Sequence, residues 1–586
     1  MKQVDLLLRD GRIIDVLYGE ISQPTNVAIK DCRIVGIGDS YEAKNKIDVQ
    51  GKFLVPGFGD LHVHIESTML RPTYAIKTFL PHGTTYIVHD PHEVANVDGL
   101  NGIISMISET EHLPCHTYTT IPSCVPATPP EMGLETSGSY IGVNEVRSLM
   151  GCKMFVGLGE VMDVPGVLNK EEKIMKKIEI ARKHQKIVEG HAPGLTGDDL
   201  KRYVEAGIES DHEVTSFDEA MERIKLGMYV EVREGSASHD LEPIISGFVK
   251  RGGNTDKLVF CSDDINTHDL VSRGHIDHNI RKSINLGMNP VEAFRIASYN
   301  GYRRLKMEKR GAIEEDYVAD LVVISTPDNT SKTLKRFKVD KTVYNGHLVV
   351  NNGELVTDLP EKKYGSDILN SVNLAKKYEP KDFTINIGLE YAKKKAQVRI
   401  IGLQNDKLET KELIEEMYTE NGILHPNLEK NILKAFVIGR HDGLVTSKGN
   451  VGYGFIKNMG LSEGAISSSI GHDCHNIIVT GTNSWDMSVA VNRQQQIGGG
   501  IVLVENSKVT REIPLKYYGL MSTKRAEEVC DEQKKLNERL YELGSRMENP
   551  AMKLAFVPLT VIPELRLTDK GLVKNYQIVP LIVEAK

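Results

Sequence analysis

His62 and His64 stand two residues apart in Phe58-Gly59-Asp60-Leu61-His62-Val63-His64. They close an apolar run that begins at Phe53-Leu54-Val55 and turns at Pro56-Gly57. Residues two apart on a strand point to the same side, so both imidazoles can reach one cation from a rigid support. Glu66 follows one step further on. Four more apolar runs end in metal-ligand types. Glu160 ends Phe155-Val156-Gly157-Leu158-Gly159, and His191 ends Ile187-Val188-Glu189-Gly190. His212 ends Gly207-Ile208-Glu209-Ser210-Asp211, and Asp263 ends Leu258-Val259-Phe260-Cys261-Ser262. Any one of these alone reads better as a polar cap on its strand. Together, histidines with one or two carboxylates suit borderline divalent ions such as Zn, Mn or Fe. A carboxylate can bridge two ions, and Glu160 is the expected bridge. One ion would sit on His62, His64 and Asp263, the other on His191 and His212.

The elements that must position these residues follow an alternating rhythm. From about 55 to 305, short apolar strands alternate with helical stretches, the pattern of βα units. Eight strands are expected: Phe58–His64, Thr84–His89, His116–Ser123, Lys153–Glu160, Lys186–His191, Gly207–His212, Met228–Val232 and Lys257–Asp263. Eight units in about 250 residues is the size of a (β/α)8 barrel, whose polar strand ends converge on one mouth. Residues 1–54 read as short strands with tight turns, and β text returns over 306–357 after the helix-like Pro290–Leu305. The expected fold is therefore α/β: a TIM-like barrel (55–305) inserted in a small β-sandwich domain (1–54 with 306–357), then a polar linker (358–385). A C-terminal α+β domain (386–586) follows, with strands at Phe436–Gly439, Asn476–Thr480, Gly500–Val504 and Lys553–Phe556. Its helices are expected at Trp485–Gln496 and Lys524–Gly544. Gly498-Gly499-Gly500 reads as a glycine turn entering a strand rather than a phosphate loop.

Bulk numbers exclude several classes. At 586 residues the chain is too long for one core. Its 40% hydrophobic and 26% charged content is that of a globular protein. The net charge of -8 is spread along the chain, and no Lys/Arg block marks a nucleic-acid or membrane surface. No apolar run is long enough to span a bilayer, and the N-terminus has no signal-peptide core. Seven scattered cysteines fit reduced thiols in a cytoplasm better than a disulfide framework. CxxC, HExxH and GxxxxGK[ST] are absent.

With those residues in view, the chain resembles the amidohydrolase superfamily and, within it, the adenine deaminases. The resemblance is carried by Pro56-Gly57-Phe58 through His62-Val63-His64-Ile65-Glu66-Ser67, and by His89-Asp90-Pro91-His92-Glu93-Val94-Ala95-Asn96. Gly157-Leu158-Gly159-Glu160-Val161-Met162, Glu189-Gly190-His191-Ala192-Pro193, Ser210-Asp211-His212-Glu213 and Cys261-Ser262-Asp263-Asp264 add to it. Gly439-Arg440-His441 and Gly471-His472-Asp473-Cys474-His475-Asn476 extend it to the C-terminal region. Many superfamily members bridge their metals with a carboxylated lysine on the fourth strand. Glu160 at that position agrees with the adenine deaminase pattern and argues against a dihydroorotase or hydantoinase. The resemblance implies two divalent ions that lower the pKa of a shared water, attack of that water on C6 of adenine, and release of ammonia and hypoxanthine. Asp263 is placed to move the proton. Residues expected near the base are Glu66, His89, Asp90, His92 and Asp264, with His472 and Asp473 from a loop that covers the barrel mouth. His89, Asp90, His92 and Glu93 could instead bind a further metal or form a loop hydrogen-bond network.

The expected partner is a small purine base, with no nucleic acid and no membrane, in a homo-oligomer. The zinc deaminases that edit nucleic acids need HxE with PCxxC, and Pro114-Cys115 lacks the second cysteine. Two other functions compete: hydrolysis of another cyclic amidine or amide such as guanine, and a non-catalytic scaffold on the same barrel. The complete ligand set speaks against the scaffold.

Overall fold

The computed structural model describes residues 2–39, 41–391, 395–405, 407–441 and 449–583. Eight parallel strands form the barrel: Phe58–Val63, Thr84–His89, His116–Ile121, Phe155–Val161, Ile187–Gly190, Ser210–Asp211, Tyr229–Arg233 and Leu258–Cys261. The first five pair in sequence order as one sheet and the last three as another. Two seams close the ring. Glu209 N donates to Val188 O at 2.9 Å, and Val63 bridges Asp263 in parallel. The strands are apolar and buried on both faces because helices cover the outside. Helix Glu172–Lys183 shows the pattern: Ile174, Ile178 and Ala181 turn inward, Glu172 opens the helix and Arg182 and Lys183 close it.

A nine-stranded sheet lies outside the barrel and interleaves both ends of the expected β region. Phe53–Pro56 leads directly into the first barrel strand and pairs antiparallel with Leu321–Ser325. The first barrel strand is thus anchored on a sheet to which residues from both sides of the barrel contribute.

From Ile385 onward the described residues carry an eleven-stranded sheet and two long helices, Ser484–Ile497 and Ala526–Glu542. Three expectations change in detail. Lys553–Phe556, expected as a strand, lies on helix Pro550–Ala555, because a short apolar run fits a buried helix as well as a strand. Pro290–Leu305 is two helices, Pro290–Ile296 and Tyr299–Arg304, broken at Ser298, whose hydroxyl donates to Phe294 O at 2.6 Å. Segment 358–385 packs Val372, Leu374, Tyr378 and Phe383 into the C-terminal core. Gly498 takes φ +78° at the end of its helix and Gly500 opens a strand, so the three glycines form a turn. Met69, Leu70 and Ile76 of the barrel share one hydrophobic cluster with Ile501, Tyr517 and Leu536. The barrel mouth is therefore closed by a packed apolar contact with the C-terminal region. Among the described residues, no helix is long and apolar enough to cross a membrane.

Candidate active site

Side chains that point into a barrel recur every second residue. The first strand sends in Asp60 and His62, with His64 just beyond; the fifth, Glu189 with His191 beyond it; the seventh, Glu231 and Arg233. All are buried. At the C-terminal strand ends these residues meet. His62 Nε2 and His64 Nε2 lie 3.1 Å apart. Asp263 Oδ1 is 3.1 Å from His64 Nε2 and 3.6 Å from His62 Nε2. Asp263 adopts φ +55°, an uncommon conformation for a non-glycine residue that marks a constrained position. Its backbone is tied to the first strand, N donating to His62 O at 2.9 Å and O accepting from His64 N at 3.3 Å.

Glu160 sits between two groups. Oε1 lies 3.4 Å from His64 Nε2, 3.8 Å from His62 Nε2 and 3.3 Å from His92 Nδ1. Oε2 lies 2.9 Å from His191 Nδ1 and 3.3 Å from His212 Nε2. His191 Nδ1 and His212 Nε2 are themselves 3.3 Å apart. The Glu160 backbone is held on both sides, N donating to Asp90 Oδ2 at 3.0 Å and O accepting from Ser123 Oγ at 2.6 Å.

The donor set fits divalent cations. Imidazole nitrogens about 3 Å apart that face the same carboxylate oxygens need a cation or protons between them. The local electrostatics say the same. Burial works against charge on His191, but Glu213 and Glu160 outweigh it and push the ring up to about 9. His92 is pushed up to about 10 against burial, chiefly by Asp473 and Asp90. Glu160 is held well below the usual carboxylate range despite burial, by His212 and His191. Asp263 is held low against burial by His62, His64 and Arg233. The buried triads His62–His64–Asp263 and Glu160–His191–His212 each bring three ligand atoms within 4.8 Å of one another.

Beside the cluster lies a small cavity. His64, His92, Asp263 and Asp264 line its barrel side; His472, Asp473, Phe556 and Leu559 line the face contributed by the C-terminal region. The His472 ring stacks on Phe556 with centroids 4.2 Å apart, and its Nδ1 lies 3.4 Å from Glu93 Oε1. Burial, with His92 nearby, pushes His472 down to about 3, so this ring is neutral. Asp264 accepts a 2.5 Å hydrogen bond from Ser67 Oγ, and burial and Asp263 push it up to about 6. Glu93, sharing Ser67 Oγ at 3.1 Å, is pushed well above the usual range by burial, Glu66 and Asp264. Glu93 at the cavity edge thus favours the protonated, hydrogen-bond-donating form, while Asp264 is largely ionised at neutral pH and accepts.

Three residues expected beside the base do not reach this cavity. Glu66 Oε1 accepts from Val94 N at 3.2 Å and steadies the start of the helix after the second strand. His89 Nε2 lies 2.8 Å from Thr119 Oγ1, and burial pushes the ring down to about 4. Asp90 faces the Glu160 backbone. In each case the side chain is taken up by the backbone or hydroxyl of a neighbouring element. Cys474, in the C-terminal loop, is buried, which pushes its thiol well up and leaves it an unreactive core group.

Two residues not singled out for a role join the site. Arg233 Nη1 donates to Glu213 Oε1 at 2.6 Å and to Asp263 Oδ2 at 2.9 Å, while Nε donates to Asp240 Oδ2 at 3.0 Å. The seventh strand extends one residue beyond Val232, and alternation from Glu231 would have placed Arg233 inside. Glu213 adjoins His212 and reaches the cluster from the following turn, with Oε1 3.6 Å from His212 Nε2. Phe556 carried no chemical signal in sequence, because it comes to the site through the packing of the C-terminal region.

Comparison with known proteins gives two family matches. Residues 53–349 match the amidohydrolase family and residues 407–577 the adenine deaminase C-terminal domain. An adenine deaminase from Kosmotoga olearia is 40% identical, the match covering 97% of this chain and 94% of that protein. One from Staphylothermus marinus is 39% identical over 99% and 96%, and one from Clostridium acetobutylicum 37% identical over 97% and 96%. Among solved structures, an adenine deaminase aligns with TM-score 0.43 at 16% identity, covering 59% of this chain and 100% of that one.

Proposed function

The chain belongs to the adenine deaminases of the amidohydrolase family, and from that premise we propose that its buried cluster holds two divalent cations, Mn, Fe or Zn. The enzyme hydrolyses adenine to hypoxanthine and ammonia. The observation that carries the two-cation assignment is the division of Glu160, whose Oε1 faces His62 and His64 while Oε2 faces His191 and His212. One cation would take His62, His64 and Asp263, the other His191 and His212, with Glu160 common to both. Cations held by these residues would supply a water acidic enough to act as a nucleophile near neutral pH.

The chain's own groups handle the protons. Water supplies oxygen to C6; one of its protons goes to N1 of the purine and the other to the departing amine, which leaves as ammonia. Asp263 is the group to carry them, since Oδ1 faces the cluster while Arg233 holds Oδ2. Glu93, inclined to hold a proton, can donate a hydrogen bond to a ring nitrogen, and Asp264 can accept one from an N–H of the base. Phe556 and Leu559 cover the cavity and exclude water. The same reading divides the chain into the barrel over 55–305, the β region on either side of it, and a C-terminal domain that closes the mouth. Seven free cysteines among the described residues support a reducing, cytoplasmic setting.

A cavity capped by His472, Asp473, Phe556 and Leu559 of the C-terminal region suits a flat free base better than a nucleoside, whose ribose would have to displace that cap. Adenine is expected to give equal amounts of hypoxanthine and ammonia. Adenosine and guanine are expected to react at least about a hundredfold more slowly in kcat/KM. Chromatography of the products with an ammonia assay checks this, and comparable efficiency on adenosine would contradict the shape assigned to the cavity.

A further inference from the structure

Two carboxylates, one arginine and the far sides of two ligand imidazoles lie directly beneath the cluster. Glu189 Oε2 is 3.5 Å from His62 Nδ1, and its other oxygen is 3.2 Å from Arg304 Nη1. Glu231 repeats the arrangement, with Oε2 3.9 Å from His212 Nδ1 and Oε1 3.0 Å from Arg304 Nη2. Arg304 also donates to Ser210 Oγ at 2.6 Å. The His62 and His212 rings stack with centroids 4.2 Å apart and planes within 13°. Glu189 and Glu231 are 0% exposed and Arg304 is 2% exposed. A buried guanidinium and two buried carboxylates are costly unless each completes another's charge. The parts come from five places in the chain: the first, fifth and seventh barrel strands, the end of the sixth strand at His212, and helix Tyr299–Arg304 beyond the eighth strand.

We propose that Arg304, Glu189 and Glu231 form one positioning relay that orients His62 and His212 as metal ligands, so that a single guanidinium anchors one imidazole from each half of the cluster. Each carboxylate spends one oxygen on Arg304 and turns the other towards an Nδ1. A proton kept on Nδ1 leaves the Nε2 lone pair facing the cluster, where His62 Nε2 meets Asp263 and Glu160 and His212 Nε2 meets Glu160. Glu189 and Glu231 touch neither the cavity nor the Glu160 carboxylate, and Arg304 reaches the imidazoles through them. The arrangement makes retention of the two cations interdependent. Glu189 serves the half built on His62, Glu231 lies against both His62 and His212, and Arg304 ties the two carboxylates together.

The relay rests on the two-cation reading and is tested on the metal-loaded, full-length chain. Metal content and the rate of metal loss to a chelator are measured for wild type, Glu189→Gln, Glu231→Gln, Arg304→Gln and Arg304→Lys, together with KM and kcat for adenine. Glu189→Gln is expected to release one equivalent about 10- to 100-fold faster, and Glu231→Gln, whose carboxylate lies against both imidazoles, to accelerate loss of the equivalent on His212 at least as much, as for a lost partner of a ligand histidine. Arg304→Gln is expected to accelerate both. Arg304→Lys, which keeps the charge, should recover part of the retention, and KM should change far less than kcat. The two glutamine variants keep the test informative if Arg304→Gln does not fold. A wild-type chain that holds two ions beside single variants that lose neither ion faster overturns the relay alone. A wild-type chain that neither retains nor rebinds divalent ions overturns the cluster reading and the relay with it.

Discussion

Glu160→Gln is expected to lose turnover by about a thousandfold or more, the several kcal/mol that a polarising cation contributes, and to lose bound metal with it. The substitution keeps the volume of the side chain and removes its charge. It also leaves one acceptor where the cluster uses two. Oε2 stands 2.9 Å from His191 Nδ1 while Oε1 faces His64 at 3.4 Å, so an amide must turn its NH2 towards one half. That half then meets a donor where it needs a negative oxygen. The barrel should still fold, since Glu160 contacts the cluster and the apolar strand core does not depend on its charge. Metal analysis, an adenine assay and thermal melting of the same sample check the three parts together. A fully active Glu160→Gln enzyme with two metals per chain would remove the bridge from this account.

The second large effect concerns the neighbours Asp263 and Asp264. Asp263→Asn is expected to lower kcat by about 10² to 10⁴, because an amide can neither accept the water proton nor supply charge to the cluster. Asp264→Asn is expected to cost about tenfold or less. Its hydrogen bond to Ser67 survives as an amide contact, and its only influence on the triads is at a distance, on His64. The pH profile separates the roles further. Asp263 is held well below the usual carboxylate range, so it stays ionised through mildly acid pH. The fall in wild-type activity on the acid side should instead follow proton competition for imidazoles such as His191, which favours the protonated ring below about 9 when no cation opposes it. Metal retention and activity should therefore fall together as pH is lowered. Equal losses in the two asparagine variants with metal retained would break this division of labour.

Much of the site was legible in sequence because barrel strands have a strict two-residue alternation and polar residues at their ends stand out against apolar runs. His62, His64, Glu160, His191, His212 and Asp263 are all brought together, and His92, Asp264, His472 and Asp473 all line the cavity. What was missed falls into two physical kinds. Arg233 lay one residue beyond an expected strand end, a boundary error that alternation from Glu231 would have repaired. Phe556 and Leu559 are apolar residues made functional by domain packing, a long-range contact that local periodicity does not encode. The misassigned Lys553–Phe556 strand belongs to the same region, where four apolar-rich residues fit either period. Glu66, His89 and Asp90 show the converse. They are polar, near the ligands in sequence and buried, yet each is used to hold a neighbouring element in place.

One glutamate, Glu160, is proposed to join two cations on which deamination of adenine depends. The most direct measurement strips the full-length chain of metal and then titrates a single divalent ion, Mn or Zn, while following ammonia release from adenine. The expected result is negligible activity without metal and a rise that breaks at two equivalents per chain. Full activity in the stripped chain, or a break at one equivalent with the second without effect, would contradict it.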